Sequence, residues 1–168
     1  MKFYKIVNPE GHHGMVFKEG INIDINEWNP SNECEAGGLY FAREDILAFL
    51  DYGTLVYEVE PIGDVVEIWR WDSTKFKAHA INIKLIGEWS DPTVFTQLLD
   101  DGANVHANND CALRCTSRHG YIDIVKLLLE HGADVHAHDG SSLAWAFRNA
   151  HYDVVKLLRD HIKTLSTK

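Results

Sequence analysis

The sequence predicts an α+β chain in two parts: a small, mostly antiparallel N-terminal α+β domain, then a short C-terminal stack of repeated helical units. Three observations carry this. The segment LLEHGADVHA at 128–137 has a near copy, LLDDGANVHA, at 98–107, so that Leu98 and Leu128, like Gly102 and Gly132, stand 30 residues apart. A fixed period of roughly 20 to 50 residues marks a stacked-repeat architecture. The residues before the copies alternate apolar and polar, as in INIDI at 21–25 and AINIKLI at 80–86, the pattern of half-buried strands. One stretch there, REDILAFLDY at 43–52, has helical spacing, so most strand connections are not helical and antiparallel pairing follows.

Taken in order, FYKIV at 3–7 is a short β-prone run ended by Asn8, Pro9 and Gly11, with His12, His13 and Gly14 continuing the turn. INIDI places Ile21, Ile23 and Ile25 on the buried face of a strand. Residues 26–38 form a long polar loop carrying Trp28, Pro30 and Cys34, and Gly37 and Gly38 introduce the buried strand LYFA at 39–42. Ile46, Leu47, Phe49 and Leu50 make the helix amphipathic, and Gly53 ends it. TLVYEV at 54–59 is a strand, Pro61 and Gly63 punctuate, and Val65, Val66, Ile68 and Trp69 begin another. A polar hairpin region, WRWDSTKFKAHA, leads into 80–86. Residues 1–89 thus read as five or six short strands around one helix.

From 90 the period changes to helical. Asp91 is the expected N-cap and Pro92 the first helical residue, where its missing N–H costs nothing. Val94, Phe95, Leu98 and Leu99 form the buried stripe, and Gly102 stops the helix. Residues 110–120 form a helix with small residues at Ala112, Cys115 and Thr116, and YIDIVKLLLEHGA follows as its partner. The next unit repeats the pair: Leu143 matches Leu113, and VVKLL at 154–158 matches IVKLL at 124–128. About two and a half units fill 90–163, with only the outer helix present in the first, and 164–168 is a polar tail. The leader is expected to pack against that incomplete unit and cap it, while Arg159, Asp160, His161 and Lys163 offer a polar finish at the other end.

These residues resemble the ankyrin repeat, a helix–turn–helix–hairpin unit usually about 33 residues long. The resemblance covers 91–162. The customary Thr-Pro-Leu-His opening is Cys111-Ala112-Leu113-Arg114 in one unit and Ser141-Ser142-Leu143-Ala144 in the next. The shorter period removes residues from the projecting hairpin. YKIVN, the Gly-rich turn, GINID and the Cys34, Gly37, Gly38, Leu39, Tyr40, Phe41 pattern resemble the leader of giant-virus (mimivirus-type) ankyrin-repeat proteins. That resemblance implies a viral origin and a binding role.

Composition narrows the function. The net charge of −9, with ten histidines taken as neutral, argues against nucleic acid and anionic membranes as partners, because both require basic surface. No apolar run approaches the roughly 20 residues of a membrane span. The N-terminus turns polar after Val7, unlike a secretory signal. Three cysteines without framework spacing fit a reducing compartment. The expected setting is the cytoplasm or nucleus of the infected host cell, or the virion.

Cys111, Cys115 and His119 form an i, i+4, i+8 ladder that could bind zinc. Their counterparts Ser141, Trp145 and Asn149 supply no ligand set, so the cysteines read as packing residues and no metal is expected. His12, His13 and Cys34 read as turn residues, with Cys34 a buried anchor of the long loop. His106, His131, His136 and His138 gather near the repeat hairpins, as solvated or hydrogen-bonded loop residues or as a pH-sensitive surface. GGLYFA, helix, then LVYEVEP looks like the core order of ADP-ribosyltransferase-type folds. That likeness implies a dinucleotide cleft with His13, Tyr40 and Glu58 or Glu60 as its candidates. No phosphate loop, GxSxG, HExxH or CxxC motif occurs.

The reading reached is a non-enzymatic protein–protein interaction module without cofactor or catalytic residues. It binds a host or viral protein through the concave ankyrin face. The alternatives are a nucleotide-binding, ADP-ribosyltransferase-like leader and a structural virion component. Candidate contact residues are Asn108, Asn109, Arg114, Arg118 and His119 in one unit and His138, Asp139, Trp145, Arg148 and Asn149 in the next. Arg114, Arg118, Trp145 and Arg148 lead, being of the types most often found as interface hot spots; Trp145 fits core or interface.

Overall fold

The structure, a computed structural model, describes residues 2–11, 15–70 and 73–166. Met1, His12, His13, Gly14, Trp71, Asp72, Thr167 and Lys168 lie outside the described residues. Two compact units divide the chain, Met1–Asn104 and Val105–Lys168. The sequence reading divided it after residue 89.

The first unit contains β1 (Phe3–Val7), β2 (Gly20–Ile23), β3 (Leu39–Phe41), a 3-10 helix (Glu44–Tyr52), β4 (Leu55–Arg70), β5 (Ser73–Glu88) and α1 (Pro92–Asp100). Every strand pair is antiparallel. The order is β1-β4-β5-β2, with β3 also alongside β5. A reciprocal backbone pair, Tyr4 N to Ala42 O at 2.7 Å and Ala42 N to Tyr4 O at 2.8 Å, joins the exit of β3 to β1. The sheet therefore curls back on itself around Val7, Leu39, Phe41, Tyr57, Phe76 and Ile81.

Three local expectations change. Pro61 and Gly63 do not end a strand: β4 runs through them with a register shift between Ile62 and Val65, because a bulge absorbs the irregularity without ending the pairing. The helix at 44–52 is 3-10 and bends at Asp45 and Phe49, burying Ile46, Leu47, Ala48 and Leu50. Ile21, Ile23 and Ile25 face solvent, at 68, 56 and 75% exposure, and Asn22 takes the buried position. Asn22 earns that place by bonding: its Oδ1 accepts from Lys18 N at 3.1 Å, and its Nδ2 donates to Lys18 O at 2.7 Å and Gly20 O at 3.0 Å. A buried amide with its partners supplied is tolerated where an unpaired one is not.

Asp91 caps α1 as expected, its Oδ1 accepting from Thr93 N at 2.8 Å. The Thr93 hydroxyl and amide hold its carboxyl below the usual range. The sheet unit holds α1 closely. Asp101, just after the helix, accepts from the Tyr4 hydroxyl and pairs with Lys2 at 3.6 Å. Asn104 donates its backbone N–H to Glu44 O at 2.6 Å and its side chain to Asp45 at 3.2 Å. These contacts place the compact boundary after 104, because the first repeat helix is bonded to the sheet.

The second unit has α2 (Ala107–His119), α3 (Ile122–Glu130), α4 (Ala137–Arg148) and α5 (Tyr152–Ser166). α2 lies against α4, each also packs on the helix that follows it, and α3 meets α5. Leu113, Ile124, Val125, Leu128, Val154 and Leu158 fill the core. α5 continues to Ser166, so helix occupies most of the expected polar tail. No helix of the described residues is long and apolar enough to cross a membrane.

Where a projecting hairpin was expected to be shortened, the backbone makes a left-handed turn. Asn108, Asn109 and Asp110 have φ of 51, 52 and 54°, and His138, Asp139 and Gly140 have 51, 56 and 68°. The 30-residue period thus recurs in backbone handedness. Asn, Asp and Gly are the residues that enter this region with least strain.

Candidate interaction face and leader cavity

The candidate face begins at the first left-handed turn. Arg114, half-buried, donates Nη2 to Asn108 O at 2.7 Å and Nε to Asn109 O at 3.2 Å. It braces the turn that presents Asn108 and Asn109. Beneath it, Asp110 is 4% exposed and accepts from Asp134 N at 2.9 Å, with His106 Nδ1 at 3.2 Å. One carboxylate therefore links successive repeats.

Further along α2, Arg118 is half-buried and its carbonyl meets His151 Nε2 at 3.1 Å. His119 is exposed, with Nδ1 2.8 Å from Cys115 O and its ring stacked on Tyr121 at 5.6 Å. Cys111 and Cys115 are buried with their sulfurs 3.7 Å apart. The ladder thus splits, two thiols inside and the imidazole outside.

On α4, His138, Asp139, Arg148 and Asn149 are all exposed. Trp145 is at the surface, 38% exposed, with the Arg148 guanidinium 5.6 Å from its ring centroid and its carbonyl accepting from Asn149 Nδ2 at 2.8 Å. Phe147 and Tyr152 form a second exposed aromatic pair, 57 and 64% exposed with their rings 6.3 Å apart. Neither was singled out in the sequence. The available signal was the period: Phe147 stands 30 residues after Ser117, which is buried. The structure thus brings Trp145 and Arg148 together on α4, and uses Arg114 as a brace.

In the first unit, the dinucleotide candidates fall into separate networks. Tyr40 donates its hydroxyl to Glu35 O, and burial pushes its phenol up to about 12. Glu58 pairs with Lys2 at 3.5 Å, and Glu60 accepts from Asn82 at 3.2 Å. Tyr40 lines a half-open cavity of about 630 Å³ that Glu58 and Glu60 do not line. Cys34 is not a buried anchor. It is exposed at this cavity, with Lys75 Nζ 2.7 Å from its sulfur.

An ankyrin-repeat family model, with three copies, matches residues 86–167. Two similar proteins come from Acanthamoeba polyphaga mimivirus. Ankyrin repeat protein R868 is 33% identical over 133 residues, covering 75% of this chain and 65% of R868. The uncharacterised protein R869 is 31% identical over 135 residues, covering 75% of this chain and 96% of R869. The chain therefore spans about two thirds of R868.

Proposed function

The chain belongs with these mimivirus ankyrin-repeat proteins, and from that premise we propose that it docks non-covalently on a host or viral protein through α2, α4 and their left-handed turns. Ankyrin repeats themselves support a protein–protein interaction module. The observation that carries the finer reading is surface-exposed Trp145 under the Arg148 guanidinium. Trp and Arg are the residues that most often dominate binding energy, and a Trp held by a stacked cation is pre-ordered for contact. The two left-handed turns frame this face with amide, imidazole and carboxylate groups suited to a polar rim. Under this reading the protein works in the cytoplasm or nucleus of the infected cell and carries out no catalysis.

The test is affinity capture from host-cell lysate with Arg118→Glu/Arg148→Glu and Trp145→Ala beside the wild type. Loss of the same specific bands in both variants, with the fold intact by circular dichroism, is the expected result. Equal recovery by all three proteins removes the proposed face. Self-association of the purified chain, without a host partner, would favour a structural virion role instead.

A further inference from the structure

The sheet unit has a feature that an interaction module does not use. Phe3, Lys5 and Val7 alternate along β1, and both Phe3 and Val7 pack into the sheet's core. Lys5 therefore occupies a core-facing register position. Its ammonium donates to Tyr40 O at 2.6 Å and lies 4.5 Å from the Phe17 ring centroid. An ammonium carries three protons. Among the described residues no carboxylate forms an ion pair with it. Asp24 acts on it only through space, because its carboxylate accepts from Gly38 N at 2.6 Å and from Asn26 N and Nδ2 at 2.9 Å.

Lys5 lines the cavity of about 630 Å³, with Lys75 also on its wall. Burial and then the Lys75 charge pull the Lys5 ammonium down to about 8. Met15, Phe17, Leu39, Ile46 and Phe49 contribute apolar wall. The size falls within the roughly 300–1,000 Å³ of small-molecule sites, which pair an apolar lining with a few placed polar groups.

We propose that this cavity is a binding site for a small organic monoanion, a carboxylate with an apolar body, its head group held by Lys5 with Lys75 in support. A carboxylate would satisfy the unspent donors of Lys5 and offset the repulsion between the two lysines. An ammonium ligand would add to that repulsion. A neutral apolar ligand would leave the cation without its counter-charge. Asp24 and Glu35 also line the cavity, and their negative charge disfavours polyanions such as nucleotide phosphates. Lys5 and Lys75 share this wall in a chain of net charge −9, so the lysine pair is no reflection of a generally basic surface.

The test is calorimetric titration of the whole chain at pH 7 with octanoate, 1-octanol and octylamine. Octanoate is expected to bind one to one and at least tenfold more tightly than the other two. Lys5→Met should weaken octanoate by roughly tenfold or more, the scale of one charge-assisted hydrogen bond, without weakening 1-octanol. Lys75→Gln, at the cavity wall, should weaken octanoate selectively and guards against a folding defect in the first variant. Absence of octanoate binding, equal binding of octanoate and octanol, or unchanged octanoate affinity in both variants would overturn the proposal. None of these readouts involves the ankyrin face.

Discussion

Asp110 Oδ1 accepts the backbone N–H of Asp134 at 2.9 Å, so a carboxylate in one left-handed turn holds the start of the next. Asp110 is buried, and its loss would strand a backbone donor. Asp110→Ala is expected to cost about 1–3 kcal/mol, measured by urea unfolding. Asp110→Asn, which keeps an acceptor oxygen, should lose less. Equal losses would show that the link is not what the carboxylate provides.

Gly120 closes α2 at φ 77°, and a β-carbon there would lie 2.4 Å from His151 Nδ1. Gly132 has φ 88° but open space around it. Alanine at 132 should cost only the left-handed conformation, roughly 1–2 kcal/mol. Alanine at 120 should cost that plus the displacement of the His151 ring, a further ~1 kcal/mol or more. Thermal melts of the two variants, compared side by side, check the ordering.

Asn22 spends its amide on both backbone groups of Lys18. Asn22→Ala leaves those groups to find water and should destabilise by about 1–3 kcal/mol. Hydrogen exchange should show faster exchange of the Lys18 amide in the variant. Unaltered protection there would mean that solvent already serves it.

The lowered Lys5 pKa has a stability consequence with a definite sign. Between about 8 and the ordinary 10.5, the unfolded chain holds a proton on Lys5 that the folded chain has released. Stability from this group therefore rises with pH through that window, and the charged form carries its full penalty below it. Lys5→Met should be the more stable protein at pH 7, and the wild type should close the gap between pH 8 and 10.5. Unfolding curves at pH 7, 8.5 and 10 measure the difference, which cancels groups common to both. A gap that stays constant would mean that the Lys5 cation is not penalised by its surroundings.

The repeat region was legible because its information is local and duplicated. Gly102 and Gly132, and the paired leucine stripes, state the period twice, and Asp91 with Pro92 announces a helix start. The sheet was legible in class but not in burial. Alternation in INIDI fixes which residues share a face, but not which face meets the core. That choice was made by the hydrogen bonds of Asn22, invisible to a hydropathy pattern. Pro61 and Gly63 misled for a related reason: a bulge in a long pair keeps the strands together across a break in the sequence pattern. Within the candidate face, residue type located Trp145 and Arg148, while Arg114 needed its bonds to Asn108 and Asn109 to be seen as a brace. The contact between Lys75 and Cys34, 41 positions apart, required the folded sheet.

The Tyr4–Ala42 pair also bears on how safely this sheet can be carried in a crowded cell. Unpaired strand margins invite other chains to add on, the first step toward fibres. By joining β1 to the exit of β3 at one residue pair, the fold covers part of two such margins at once. Among the described strands, β2 and the outer side of β4 beyond Val59 remain; β2 is apolar on its outward side at Ile21 and Ile23 but only four residues long. A margin as brief as β2 gives an incoming strand few bonds to make, and Lys18, Glu19 and Asp24 flank it with charge that discourages self-templating.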